Sequence, residues 1–95
     1  MAKKRNLQQW AILFKALGSP YRLRILQLLE RQEEMTVTML TTKLNISLKN
    51  TSRNLSILQN LGLVESMGKQ GHVPYRLSRR LPTEAIKVLR SSIWN

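Results

Sequence analysis

At 95 residues the chain has room for one modest core, and area scaling lets a chain of this size bury only about 60–65% of its unfolded surface. Sixteen Lys and Arg stand against five acidic residues, all Glu, for a formal charge of +11, which points to polyanionic partners. With no Cys, no Asp and one His, the composition excludes disulfides and thiolate metal sites and leaves little for acid-base or nucleophilic chemistry, so neither an enzyme active site nor a cofactor is expected.

The longest apolar run, residues 10–14, is far short of the roughly 20 residues a membrane span needs. No apolar signal core follows the basic Met1-Ala2-Lys3-Lys4-Arg5 before Lys15, so a cytoplasmic protein without a membrane partner is expected. Leu7, Trp10, Ala11, Phe14 and Leu17 recur at three- and four-residue spacing and predict one face of a first helix that stops at Gly18. Ser19 and Pro20 then read as N-cap and first position of a second helix. That helix should carry Tyr21, Ile25, Leu28 and Leu29 inward, turn Arg22, Arg24, Gln27 and Arg31 toward water or a partner, and end between Gln32 and Glu34.

Met35, Thr36 and Val37 are β-prone but too few for an independent strand, so they are expected to lead into, or pair as, a minor third strand beside a later hairpin. Thr38 is the expected N-cap of a short third helix over residues 39–44, with Asn45 in a left-handed turn and Ser47 as the next N-cap. This is helix, tight turn, helix. In the fourth helix, residues 47–61, Thr51, Leu55, Leu58 and Gly62 fall on one side at about 100° per residue, flanked by Leu48 and Leu61. Lys49, Arg53, Ser56 and Asn60 fall opposite, with Asn50 and Ser52 at the margins. A solvated surface helix would look similar, but such a face usually mixes signs, and this one has two cations and no acid.

Residues 63–67 read as a strand, residues 68–71 as a turn and residues 72–77 as the returning strand, a two-stranded wing over 63–77. Pro74 lacks a backbone N–H, so its strand should be an edge or turn that position away from its partner. Pro82 opens a last helix with Ala85, Ile86, Leu89 and Ile93 in a stripe, ending on Trp94. A domain this small would struggle to hide the apolar faces of both terminal helices. A homodimer seam between residues of about 7–17 and 82–94 is therefore expected, built on Trp10, Phe14, Ile86, Leu89, Ile93 and Trp94.

The order of elements is that of a mainly α (α+β) winged helix-turn-helix, about five helices with a β-hairpin wing in one domain over residues 1–95. Three segments resemble the ArsR/SmtB family of repressors. Ala16-Leu17-Gly18-Ser19-Pro20-Tyr21-Arg22-Leu23-Arg24-Ile25-Leu26 is similar to that family's signature before its helix-turn-helix, residues 46–64 are similar without a gap to its recognition-helix segment, and Tyr75-Arg76-Leu77 to the end of its wing. The resemblance implies a homodimeric repressor joined through its first and last helices on an inverted-repeat operator in double-stranded DNA.

Phosphates would then set affinity through cations and the helix N-terminus at Ser47, and base edges in the major groove would set sequence preference. Lys49, Asn50, Ser52, Arg53 and Ser56 are assigned to the recognition surface, with Arg53 on a guanine or a phosphate. Asn50 or Asn54 could pair with adenine, although Asn54 lies nearer the core flank, where it could instead cap or brace. Thr41, Thr42 and Lys43 are phosphate candidates, and Lys69, Gln70 and His72 at the wing tip could reach an adjacent minor groove.

Many members of the resembled family sense metal through a pair of cysteines where this chain has Thr36 and Thr38, and others through His and acidic residues on the last helix, where it has only Glu84. His72 alone reads as an exposed wing residue, and no metal is expected. Two alternatives keep the fold. One is a reader of Z-form nucleic acid, which Lys49 and Pro74 fit loosely but Ser52 and Ser56 do not, and the other is a protein-interaction module on a winged-helix scaffold. Salt separates the last from DNA binding, because a duplex complex weakens steeply with salt and an apolar protein interface does not.

Overall fold

The computed structural model describes residues 5–68 and 73–91. Along them run α1 (Leu7–Leu17), α2 (Pro20–Arg31), β1 (Met35–Thr36), α3 (Val37–Leu44), α4 (Leu48–Asn60), β2 (Val64–Ser66), β3 (Pro74–Leu77) and α5 (Thr83–Arg90). The fold is a winged helix-turn-helix. Local chemistry sets the helix starts: Asn6 and Gln9 form a capping box on α1, Ser19 caps α2 with Pro20 at its first position, and Ser47 caps α4. α3 starts earlier than expected, because Thr36 rather than Thr38 accepts from the Met39 N–H, and Val37 is already helical.

β1, β3 and β2 form one antiparallel sheet in that order, with Met35 opposite Tyr75 and Ser66 opposite the same residue on the other side. The expected third strand is there, but it makes β3 the central strand rather than an edge. Pro74 is tolerated because it opens that strand, where it contributes its carbonyl to the Met67 N–H at 2.8 Å and needs no N–H of its own.

α2 is the hub, packed against α1, α3, α4, α5 and β3. Ile25 and Leu29 from α2 meet Met35, Leu40, Leu55, Leu58 and Val64 in the core. So many neighbours explain a correction on α2. Gln27, expected to face outward, is only 3% exposed, and its carbonyl accepts from the Arg24 guanidinium. Tyr21, expected inside, is exposed, while Leu26 takes an inward place.

The roll of α1 also differs from expectation. Leu13 and Ala16 are buried and Leu17 packs on the core, whereas Leu7, Trp10, Ala11 and Phe14 face outward. Apolar residues occupy most of the circumference of α1, so period alone did not select the inner face. On α5, Leu89 is 6% exposed and belongs to the core, Ile86 is half-buried, and the Arg90 guanidinium donates to Glu30 on α2. Ile93 and Trp94 lie outside the described residues.

Candidate nucleic-acid interface

Two helices can present a reading face only if the joint between them is rigid, and here the joint is made of small polar residues. Asn45 ends α3 in the left-handed region at φ 56°, ψ 44°, a conformation its short side chain tolerates. Two residues later, the Ser47 hydroxyl oxygen accepts from the Asn50 N–H at 3.0 Å. The fully buried Thr51 donates to the Ser47 carbonyl at 3.0 Å and accepts from the Thr41 hydroxyl of α3 at 2.8 Å, so a hydroxyl chain fixes α4 on α3. Thr41, a phosphate candidate by sequence, is half-buried, and its hydroxyl donates within the protein.

Leu55 and Leu58 anchor the inner side of α4, and polar ties hold both flanks. Asn54 accepts from the Arg22 guanidinium of α2 at 2.9 Å, and Gln59 donates to Ser66 of β2 at 3.4 Å. Lys49, Asn50, Ser52, Arg53 and Ser56 remain exposed on the outer face, as the spacing predicted. Asn54 is a brace and not a member of that face, since its amide also donates to the Asn50 carbonyl at 3.0 Å.

With no acidic residue in the first turn of α4, the positive end of its dipole is uncompensated. A helix about 10–12 Å across fits a B-DNA major groove about 12 Å wide, and this face offers cations, an amide and hydroxyls to base edges and phosphates. Leu48 was expected to flank the core, but it is 56% exposed at the first turn of α4, where the core has run out. An exposed apolar side chain there is chemically suited to a thymine methyl group, and an apolar residue right after the N-cap was its available signal. Thr42 and Lys43 are exposed at the end of α3, with the Thr42 hydroxyl donating back to the Thr38 carbonyl at 3.1 Å.

The wing is tied down at its base. One Glu65 oxygen accepts from the Arg79 N–H at 2.9 Å and the other lies 3.5 Å from Arg76, so Arg76 serves the sheet and Arg79 and Arg80 are the exposed cations after it. The backbone hydrogen bond from Arg79 is the main cause holding the Glu65 carboxyl below its ordinary range; burial opposes it, and Ser78 and Arg76 reinforce it. The expected wing-tip contacts Lys69, Gln70 and His72 lie outside the described residues.

α1 presents Trp10 at 42% and Phe14 at 66% exposure, their rings stacked with centroids 5.9 Å apart and the Arg5 guanidinium 5.7 Å from the Trp10 ring centre. Val88 on α5 is exposed as well, whereas Leu89, expected in a dimer seam, packs into the core of the protomer. Among the described residues no three His, Cys, Asp or Glu cluster in a way that could hold a metal ion, and no helix is long and apolar enough to cross a membrane.

Known proteins share this arrangement. A family profile described as a helix-turn-helix domain matches residues 17–66, from the end of α1 through β2. The arsenical resistance operon repressor of Escherichia coli (strain K12) is 38% identical over 77 residues, which make up 81% of this chain; the match spans 66% of that repressor, just under two thirds of its length. The transcriptional regulator HlyU from Vibrio vulnificus CMCP6 is 32% identical and superposes with a TM-score of 0.74 over 93% of this chain and 90% of that one. A homodimeric winged helix-turn-helix DNA-binding domain from Mycobacterium bovis, assigned as a possible ArsR-family transcriptional regulator, is 30% identical, with a TM-score of 0.71 over 99% of this chain and 87% of its own. The hydroxyl-jointed helix pair, the wing pinned at its base and these likenesses together place the chain in the ArsR/SmtB-like family of winged helix-turn-helix transcriptional regulators.

Proposed function

We propose that the chain is a non-enzymatic, sequence-specific double-stranded DNA-binding repressor that acts as a homodimer on an inverted repeat. The observation that carries this reading is the outer face of α4. Five exposed polar side chains, two of them cations, are held by ties that all lie on its inner side and flanks. α4 enters the major groove, with Arg53 on a guanine or phosphate and Asn50 on an adenine, while Ser47, Thr42 and Lys43 meet the phosphates alongside. Lys69, Gln70 and His72 of the wing enter the neighbouring minor groove.

The domain pairs through α1 and α5, with Trp10, Phe14 and Ile86 in the seam and Ile93 and Trp94 continuing it. The name of the Escherichia coli relative supports repression, and the homodimeric Mycobacterium bovis domain supports pairing. No metal controls it, since Thr36, Thr38 and Glu84 offer no soft ligand; a stoichiometric zinc or arsenite complex in calorimetry would overturn that part.

Selection of bound duplexes from a random pool tests the whole reading. The expected product is an inverted repeat with half-sites about 10 bp apart or a multiple of that. Its affinity should fall linearly with the logarithm of salt, by about 0.9 per phosphate neutralised. A pool that stays unenriched, or binding indifferent to salt, would refute it.

A further inference from the structure

We propose that Arg22 is a positioning residue for DNA recognition: it sets the roll of α4 from the junction of α1 and α2 and passes displacements of α1 on to the reading helix. The proposal rests on the DNA-binding role of α4. Arg22 occupies the first turn of α2, the end of a helix where its dipole disfavours a cation, and no carboxylate pairs with it among the described residues. Tertiary contacts fix it there. Its Nε donates to the Ala16 carbonyl at 2.6 Å, in the last turn of α1, where a cation is favoured and the carbonyls need donors.

Its Nη1 donates to Asn54 Oδ1 at 2.9 Å, and Asn54 Nδ2 donates to the Asn50 carbonyl at 3.0 Å. Asn50 belongs to the exposed face and lies about 40° around the helix from Asn54, so a shift of the brace turns that face directly. The other polar ties of α4 run to α3 and β2, its neighbours in the helix-turn-helix and wing. Among the described residues, the Arg22 fork is the hydrogen-bonded route from α4 to α1, the helix that carries the exposed Trp10 and Phe14. A lysine carries its three N–H donors on one nitrogen, whereas these two bonds leave two different nitrogens of a planar guanidinium.

The test uses the full chain and the duplex selected by the wild type, with a scrambled duplex as control. Arg22→Lys, Arg22→Gln and Asn54→Leu are each titrated over a range of salt. The expected result is a loss of about tenfold on the selected site, with scrambled-site affinity held within about twofold and the salt slope unchanged, because Arg22 neutralises no phosphate. Combining the Arg22 and Asn54 changes should add little, since both cut one connection.

Equal losses on both duplexes with the slope reduced by about one would make Arg22 a phosphate contact and overturn the proposal. A lower melting temperature with an unchanged ratio of specific to scrambled affinity would do so too, as would fully additive losses. If the Arg22 variants fail to fold by circular dichroism, Asn54→Leu decides by the same ratio. A wild type that selects no duplex defeats the DNA-binding reading itself, whereas wild-type-like variants on a good operator defeat only the brace.

Discussion

Thr51 illustrates how a single side chain couples packing to the proposed function. It has no exposed surface, yet both hydrogen bonds of its hydroxyl serve the joint between α3 and α4. Thr51→Val keeps the shape and removes both bonds. A loss of about 1–3 kcal/mol in urea unfolding is expected, at roughly 0.5–1.5 for each bond. Arg53 has the opposite placement, exposed and free to meet DNA. Arg53→Ala should leave stability within about 0.5 kcal/mol, cost about 1–3 kcal/mol on the operator and relax discrimination at one base pair in a binding titration.

Glu65 gives a pH dependence of definite sign. Its carboxyl is more acidic folded than its ordinary value of 4.5, so its stabilising contribution is complete above that value and is lost as pH falls through the lower folded value. Glu65→Gln should flatten that part of the acid limb in thermal melts recorded as a function of pH.

At the scale of elements, the ends of α4 determine what it can present. Its C-terminus closes in a Schellman arrangement: the Leu63 N–H reaches the Leu58 carbonyl at 3.0 Å, the Gly62 N–H reaches the Gln59 carbonyl at 2.9 Å, and Gly62 has φ 76°. A Cβ at Gly62 would meet nothing within 4 Å, so the cost of Gly62→Ala is backbone strain alone, about 1–2 kcal/mol by chemical denaturation. The Ser47 cap and the Asn45 turn before it were readable in advance, because both act through backbone geometry within a few residues, whereas Gly62, grouped with the inner face of the helix by its spacing, is exposed and ends it. The start of α3 was misjudged by two residues, since Thr36 and Thr38 are both competent caps. The pairing of Met35 with Tyr75 decided between them by holding Thr36 extended at the strand end.

At the scale of the molecule, the outer face of α1 is apolar and exposed, with Trp10 and Phe14 stacked on it. Trp10→Glu combined with Phe14→Glu should give monomers by sedimentation and weaken operator binding, because each half-site then binds alone. A stable dimer of that variant would remove α1 from the seam. Since the inner side of α1 is satisfied by Leu13 and Ala16, the substitutions should cost the fold of one protomer little.

The sequence by itself determined the order of elements, the caps at Ser19 and Ser47 and the outer face of α4, because each depends on local backbone preference or on a period expressed within one helix. Only the tertiary structure decided which stripe of α1 faces in, that Gln27 and Leu89 are enclosed, that β3 is central, and that Thr41 and Arg22 serve α4 from other helices. These depend on contacts between residues far apart in the chain. Arg22 and Asn54 lie 32 positions apart, and no spacing rule within one helix could join them.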